Sequence, residues 1–437
     1  MRVLLIGGGG REHAVASALR KSPGLELFTV MSNESPGIAD LSVDWLRCSE
    51  TDIYRIVDWA REQRIEWAFI GSEDPLDMGI SDDLEKVGIA SVGPKKAPAQ
   101  LETSKLFARR LMKKYDIPGQ VQFDHFLDKG SLTRFLSSTS REFALKPVGL
   151  TAGKGVKVMG VHLASTAEAM QYGCEIIEQR IGGAGGLILE ERLAGEEFTL
   201  QCFVDGSTVV PMPAVQDYKQ AFEGNQGPNT GGMGSYSQRD GLLPFLNQTD
   251  YDTALDILRK MVDAVKAEGA EYKGILYGQF MLTPAGVKLV EINARLGDPE
   301  AINVIPLLQT DLADICTAII AGSLDSIRVS FDKKATVCKY IVPHGYGAQP
   351  KAGAPLKVGT DKIAALGARV FFARVNRDGN QLLTTTSRAF AILGVSESVS
   401  GAESMVEQAL EHVQGDFYVR HDIGKLNSSS SRDGTGA

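Results

Sequence analysis

The sequence predicts an α/β protein in three parts: a parallel α/β domain at the N-terminus, a central α+β domain, and a small β-rich domain at the C-terminus. Three observations predict it. The first hundred residues alternate strand-like and helix-like stretches, which implies a parallel sheet covered on both faces. From about residue 101, short strands ended by turn residues take over. Past about residue 325 the pattern is strand-rich again. The length of 437 residues agrees, since it exceeds one ordinary domain about threefold.

The first part opens with RVLLI, a glycine loop and the helix-like EHAVASALRKS, followed by LELFTV, the helix-like DIYRIVDWAREQ and the strand-like EWAFIG. These define an expected domain over 1–100, with ligands at the carboxyl ends of its strands. One helix is expected from near Leu101 through LETSKLFARRLMKKY. The strands EFALKP, GLILEERL, FTLQCFVDG and VVPMPAVQ come next, and GILYGQFML and VKLVEINAR form a hairpin around Thr283-Pro284-Ala285-Gly286. That hairpin sets Glu291 across or nearly across from Gln279. The central domain is expected over 101–328. TVCKYIVP, ARVFFARVN and RAFAILGV make the third domain, over 329–425, and the polar LNSSSSRDGTGA at 426–437 reads as a disordered tail.

A net charge of -8 argues against non-specific binding to nucleic acid or to an anionic membrane, so the expected partners are small molecules. The five cysteines show no metal-type spacing, and their odd number excludes complete pairing within the chain. They read as reduced core thiols. MRVLLIGGGG passes directly into charged residues, unlike a signal peptide, and no apolar run approaches a bilayer span. The expected location is cytoplasmic.

Four motifs carry chemistry. IGGGGREHA, at 6–14, places glycines before a helix start, where backbone amides bind anions, yet Glu12 occupies the third glycine position of the dinucleotide fingerprint. A tight turn without a ligand fits it equally well. FALKPVGLTAGKGVKVMG, at 143–160, carries Lys146 at a strand end and Lys154 in a glycine-rich loop suited to polyphosphate, without the P-loop pattern. VEINARLGDPE, at 290–300, puts Glu291, Asn293 and Arg295 at alternate positions. With Gln279 opposite, a carboxylate and two amides suit magnesium, and Arg295 can hold a phosphoryl group. The plain alternative is a solvent-facing Glu–Arg pair. QDYKQAFEGNQGPNTGGMGSYS, at 216–237, is long for a structureless loop, which points to function. The six histidines form no catalytic or metal pattern, and His13 and His344 read as structural.

Taken together these stretches resemble the ATP-grasp ligases, and within them the glycinamide ribonucleotide synthetase family. RLGDPEAI, GGGGREHA, SPGIAD, KPVGLTAGKGV, EERLAGEEFTL, the 216–237 loop, YKGILYGQFM and VRHDIG occur in that family's order, up to about Gly424. The resemblance implies ATP-dependent joining of glycine to 5-phosphoribosylamine, with Mg2+ or Mn2+ as cofactor. It implies a lid subdomain at about 122–192. Lys105 and Lys146 would meet the nucleotide phosphates, Lys154 would sit in the lid loop, Glu190, Glu191 and Leu193 would border adenine, and Glu197 would meet the ribose. Gln279, Glu291 and Asn293 would hold the metal. Arg295, Lys154 and Asp217 would be catalytic, and Gly9, Glu12, Asp217, Lys219, Asn293, Arg295 and Asp298 would bind substrate.

The chain departs from the family in three places. Tyr218-Lys219-Gln220 stands where His-Lys-Arg is common, Asn225 where Asp is usual, and SRAF at 387–390 replaces Gly-Gly-Arg-Val. Three rival readings remain: a carboxylating ATP-grasp ligase acting on aminoimidazole ribonucleotide, a nucleotide-dependent oxidoreductase built on the first glycine loop, and a catalytically silent ATP-binding regulator. The QD-x-K and PNTGGMG loop speaks against the first, and the poor fingerprint against the second. Oligomeric state is not legible in the sequence.

Overall fold

The computed structural model describes residues 1–151, 155–379 and 381–425. Lys154, and the tail at 426–437, lie outside the described residues. The N-terminal sheet is built from β1 (Arg2–Ile6), β2 (Glu26–Met31), β3 (Asp44–Arg47), β4 (Trp67–Ile70) and β5 (Ala90–Val92), all parallel, in the order β3-β2-β1-β4-β5. Val3 to Ile6 are fully buried, which is why RVLLI reads as a continuous apolar run: helices cover both faces of the sheet.

The glycines after β1 are there to make room. Glu12 folds back so that its carboxylate accepts a hydrogen bond from the Gly9 amide at 2.7 Å. Gly7 has φ of +127°, and a Cβ on it would lie 2.7 Å from Glu12 Cγ; a Cβ on Gly10 would lie 2.2 Å from the Tyr340 hydroxyl.

The helix expected from Leu101 onward is two helices, Lys96–Thr103 and Lys105–Lys114. Ser104 separates them: its backbone is extended (φ -138°, ψ 98°), and its hydroxyl accepts from the Phe107 amide. Cap formation there outweighs the helical periodicity that runs through LETSKLFARR. The break makes Lys105 the first residue of a new helix.

Four strands, β6 (Phe123–Phe126), β7 (Phe143–Pro147), β8 (Lys157–Val158) and β9 (Leu187–Glu191), form a sheet in the order β6-β9-β7-β8. With the helices Lys129–Ser137 and Thr166–Gln179 they enclose a core of their own, including Leu132, Phe143, Leu145, Ile176 and Leu189. The second sheet has β10 (Glu196–Asp205), β11 (Val209–Pro211) and the long hairpin of Lys273–Thr283 (β16) and Gly286–Asn293 (β17), in the order β11-β10-β16-β17.

The loop at 216–237 is more ordered than its composition suggests. It contains β12 (Gln216–Asp217), a small hairpin of β13 (Gln220–Phe222) with β14 (Gln226–Asn229), and β15 (Gly234–Ser237). After it come the long hairpin strands β16 (Lys273–Thr283) and β17 (Gly286–Asn293). The C-terminal strands are β18 (Ala335–Ile341), β19 (Pro355–Val358), β20 (Arg369–Phe372), β21 (Val375–Asp378), β22 (Gln381–Thr384), β23 (Phe390–Ser396) and β24 (Val413–Gly415). One sheet runs β12-β15-β18-β23-β20, so the 216–237 loop is woven into the C-terminal sheet. The other runs β21-β22-β19-β24. No helix among the described residues is long and apolar enough to cross a membrane.

His13 is a structural link between the first helix and the C-terminal strands. Its Nδ1 accepts from the Phe372 amide at 2.8 Å, its ring stacks on Phe372, and burial together with Arg369 lowers its pKa to about 4. His344 pairs with Asp416 at 2.9 Å near the surface. The five cysteines are all free, and four are buried.

Candidate active site

A cavity of about 310 Å³ lies where the N-terminal sheet, the two central sheets and the C-terminal strands meet. The hairpin β16–β17 forms its floor. Tyr277 pairs with Asn293 and Gln279 with Glu291, and a bulge then shifts the register so that Phe280 faces Leu289. The bulge keeps Glu291 and Gln279 side by side at the cavity, which Leu289 also lines, while Phe280 stays in the core.

Glu291 makes no hydrogen bond or ion pair with any of the described residues, and the same holds for the Asn293 side chain. Burial raises the Glu291 pKa, but Lys219, Lys105, Lys146 and Arg295 outweigh burial and hold it below its usual value. Gln279 Nε2 donates to Glu197 at 2.6 Å, which turns its carbonyl oxygen into the atom left for other contacts. An unengaged carboxylate beside two amide oxygens is a fitting donor set for a hard divalent cation, which keeps several waters and takes its remaining ligands from phosphates. Among the described residues no group of three or more His, Cys, Asp and Glu could hold a metal ion by itself, so the fit depends on the amides.

Arg295 follows directly after the strand. Its Nε donates to Glu73 at 3.0 Å, its Nη2 lies 3.2 Å from Glu102, and its Nη1 donates to the Leu296 carbonyl at 3.2 Å. Glu73 comes from the helix Glu73–Met78 of the N-terminal part and Glu102 from Lys96–Thr103. Arg295 first, against burial, lowers the Glu73 pKa to about 2; burial, partly offset by Arg295, pushes Glu102 up to about 7. Arg295 is therefore oriented by two carboxylates, with one N–H on each terminal nitrogen left for a ligand.

A second ionic group joins β7, β9 and the helix Lys105–Lys114. Glu190 is buried and receives Arg109 through two bonds, at 2.6 and 3.0 Å, and Lys146 at 2.6 Å. Burial raises the Glu190 pKa, but the two cations outweigh it and lower it to about 2. With its carboxylate fully occupied, Glu190 orients Lys146, and its backbone lies in the central strand between β6 and β7. Lys105 Nζ donates to the Gly149 carbonyl at 3.3 Å, and burial lowers its pKa.

On the opposite wall, Lys219 reaches Glu197 at 3.2 Å and Asp217 at 3.8 Å. Asp217 Oδ1 is buried without a partner among the described residues. Burial, against Lys219 and helped by Glu300 and Glu197, pushes the Asp217 pKa up to about 7. Glu300 accepts from the Tyr277 hydroxyl at 2.8 Å. Asp298 accepts from Tyr340 at 2.6 Å and pairs with Arg388 at 3.1 Å.

The structure thus brings Lys105, Glu190, Asp217, Lys219, Gln279, Glu291, Asn293, Arg295 and Asp298 together around one cavity. Lys146 and Glu197 stand one contact behind the wall. Gly9 and Glu12 are linked to it through Arg11, which donates to Glu12 at 2.5 Å and to the Leu296 carbonyl at 2.8 Å. Glu191 and Leu193 do not line the cavity, and Glu191 instead receives the Gln122 amide at 2.9 Å. Sequence reading missed Glu73, Glu102, Arg109 and Arg388. Each acts as a partner to a predicted residue from a distant part of the chain, and none carries a local motif. Arg388 belongs to the departing SRAF stretch, so that stretch still delivers an arginine to the site.

Comparison with known proteins identifies the family. Family models match in three consecutive parts: the phosphoribosylglycinamide synthetase N domain over residues 1–102, its ATP-grasp (A) domain over 103–301 and its C domain over 336–426. The phosphoribosylamine–glycine ligase of Methanothermobacter thermautotrophicus is 47% identical over 424 residues, covering 97% of this chain and 96% of the relative. That of Methanococcus maripaludis is 48% identical over 436 residues, covering 99% and 98%. The crystal structure of phosphoribosylamine–glycine ligase from Thermotoga maritima superposes with a TM-score of 0.80 at 26% identity, covering 97% of this chain and all of that one. With three domain matches in series and near one-half identity from end to end, the chain belongs to the phosphoribosylglycinamide synthetase family of ATP-grasp ligases.

Proposed function

We propose that the protein joins glycine to 5-phosphoribosylamine with ATP, giving glycinamide ribonucleotide, ADP and phosphate, the second step of de novo purine biosynthesis. The observation that carries this reading is the unengaged Glu291 carboxylate, set between Gln279 and Asn293 and surrounded by four cationic side chains. A carboxylate is a poor acylating agent. Activating it by phosphoryl transfer asks the protein for positioning and charge stabilisation and needs no protein nucleophile.

Glu291, Asn293 and Gln279 would hold a divalent cation, Mg2+ or Mn2+, which when bound neutralises phosphate charge. Lys105 and Lys146 face the nucleotide phosphates. An oxygen of the glycine carboxylate attacks the terminal phosphorus as its bond to ADP breaks, and the free N–H groups of Arg295 hold the moving phosphoryl oxygens. The amine of phosphoribosylamine then attacks the carbonyl carbon of glycyl phosphate. The carbon–oxygen bond breaks, the amine loses a proton, and phosphate leaves carrying one original carboxylate oxygen. Asp217, with its unpartnered Oδ1, orients the glycine ammonium, and Lys219 and Arg388 supply charge on the side that receives the ribose phosphate.

ADP release measured with glycine and phosphoribosylamine omitted in turn separates this ligase from a carboxylating ligase, an oxidoreductase or a silent nucleotide binder. Release should require both substrates. Glycine labelled with 18O in its carboxylate should deliver label to inorganic phosphate, and label confined to product and recovered glycine would rule the mechanism out.

The raised Asp217 pKa adds a pH dependence. Because kcat/KM reports the free enzyme, kcat/KM for glycine should fall as pH drops through about 7, where Asp217 gains a proton and loses its hold on an ammonium group. In Asp217→Asn this limb should vanish and kcat/KM should be low at every pH. An unchanged limb in that variant would transfer the titration to Glu102.

A further inference from the structure

The motif VRHDIG, near the end of the described chain, is not used by the mechanism above, yet it contains Arg420, a fully buried arginine. A buried guanidinium needs hydrogen-bond partners, and Arg420 divides its four bonds equally between the substrate-side loop and Asp422. Its Nη1 donates to the Gln220 carbonyl at 2.9 Å and its Nη2 to Asn225 Oδ1 at 3.1 Å. The guanidinium lies 4.9 Å from the centre of the Tyr218 ring. Asp422 receives the other edge in a two-point bond, from Nε at 2.8 Å and Nη2 at 2.6 Å.

The residues beside it reinforce the same grip. Asp422 Oδ2 also accepts from the Gly224 amide at 3.0 Å, and the His421 amide donates to Glu223 at 3.0 Å. Residues 420–422 therefore hold the loop at 218, 220, 223, 224 and 225. Lys219 lies between two of these anchors, Tyr218 and Gln220, and its own carbonyl is held by Thr230, through the hydroxyl at 2.7 Å and the amide at 2.8 Å. With both neighbours fixed, the Lys219 side chain is left to reach Glu197 and Asp217 at the cavity.

We infer that Arg420 is a positioning residue for the ligase reaction, setting the place of Lys219 and Asp217 and thereby the affinity for the amine and amino-acid substrates. The inference rests on the reading of the 216–237 loop as the substrate side of the site. It also accounts for the departures from the family at Tyr218, Gln220 and Asn225. Tyr218 supplies an aromatic face to Arg420, Gln220 contributes only its carbonyl, and Asn225 offers a neutral oxygen where an acid would make a charge-assisted bond.

The test uses the full chain with Arg420→Lys and Asn225→Ala, measuring KM for ATP, glycine and phosphoribosylamine alongside the thermal midpoint. Lysine keeps the charge and loses the two-point geometry. Arg420→Lys should raise KM for glycine or phosphoribosylamine about tenfold, equivalent to about 1.4 kcal/mol, with KM for ATP within about twofold. Asn225→Ala, at an exposed turn, should shift the same constants in the same direction by about threefold, and it serves if the lysine variant does not fold. Asn225→Asp should restore or improve on the parent value. A lowered midpoint with all three KM values unchanged, or an equal rise for ATP, would overturn the inference and make the contact merely structural. Asp217→Asn tells that failure apart from failure of the functional reading: if Asp217→Asn leaves amide formation intact, the loop is not the substrate side at all.

Discussion

Glu291→Gln lowers turnover about a thousandfold, equivalent to about 4 kcal/mol of lost stabilisation. The substitution keeps the shape of the side chain and removes its charge. The other protein donors at this point, Gln279 and Asn293, are already neutral, so the variant has no anionic ligand for a divalent cation. The four cations that depress the Glu291 pKa would then face one another without it. Two readouts check the result. Turnover should recover in part at high magnesium, and Mn2+ bound in the presence of ADP, followed by electron paramagnetic resonance, should require a far higher concentration. Parent-like rate and parent-like Mn2+ affinity would show that the cation is held elsewhere.

Glu190→Gln should be the most destabilising single change at the site, by about 3–5 kcal/mol, because it leaves two buried cations, Arg109 and Lys146, facing a neutral amide. The depressed pKa gives the pH window. A group held at about 2 in the fold, against an ordinary 4.5, stabilises the fold above its unfolded value, and that contribution is lost as pH falls from about 4.5 through about 2. The shift corresponds to about 3 kcal/mol at neutral pH. Thermal midpoints measured between pH 7 and pH 3 should therefore fall less steeply below pH 4.5 in the variant than in the parent. Calorimetric ATP binding should also weaken, since Lys146 loses the partner that orients it. An unchanged midpoint at neutral pH would mean that water takes the place of the carboxylate and that the triad contributes little.

Much of this protein is legible in its sequence, for reasons that act over a few residues. The parallel strands of the first part show as unbroken apolar runs because both faces are covered. The hairpin turn at 283–286 brings Gln279 to within one position of Glu291, and the bulge, which carries no signal in the sequence, completes the pairing. One local signal was overridden: helical periodicity through 101–115 concealed the cap at Ser104, which starts a new helix at Lys105. The motif order also gave the family and, with it, the reaction.

What only the tertiary structure decided is which charges meet. Glu73 reaches Arg295 across 222 positions, and Arg420 reaches Gln220 across 200. The 216–237 loop joins the C-terminal sheet through β15 and β18, although the sequence places a whole domain's worth of chain between them. Propensity, periodicity and turn chemistry are set by neighbours along the chain, so they specify strands, hairpins and caps. Ion pairing inside a cavity depends on which surfaces the folded parts press together and on the burial that makes an unpaired charge costly. Gln279, Glu291, Asn293 and Arg295 were therefore visible in the sequence, whereas the pairing of Arg295 with Glu73 and Glu102, and of Lys146 with Glu190, was settled by packing.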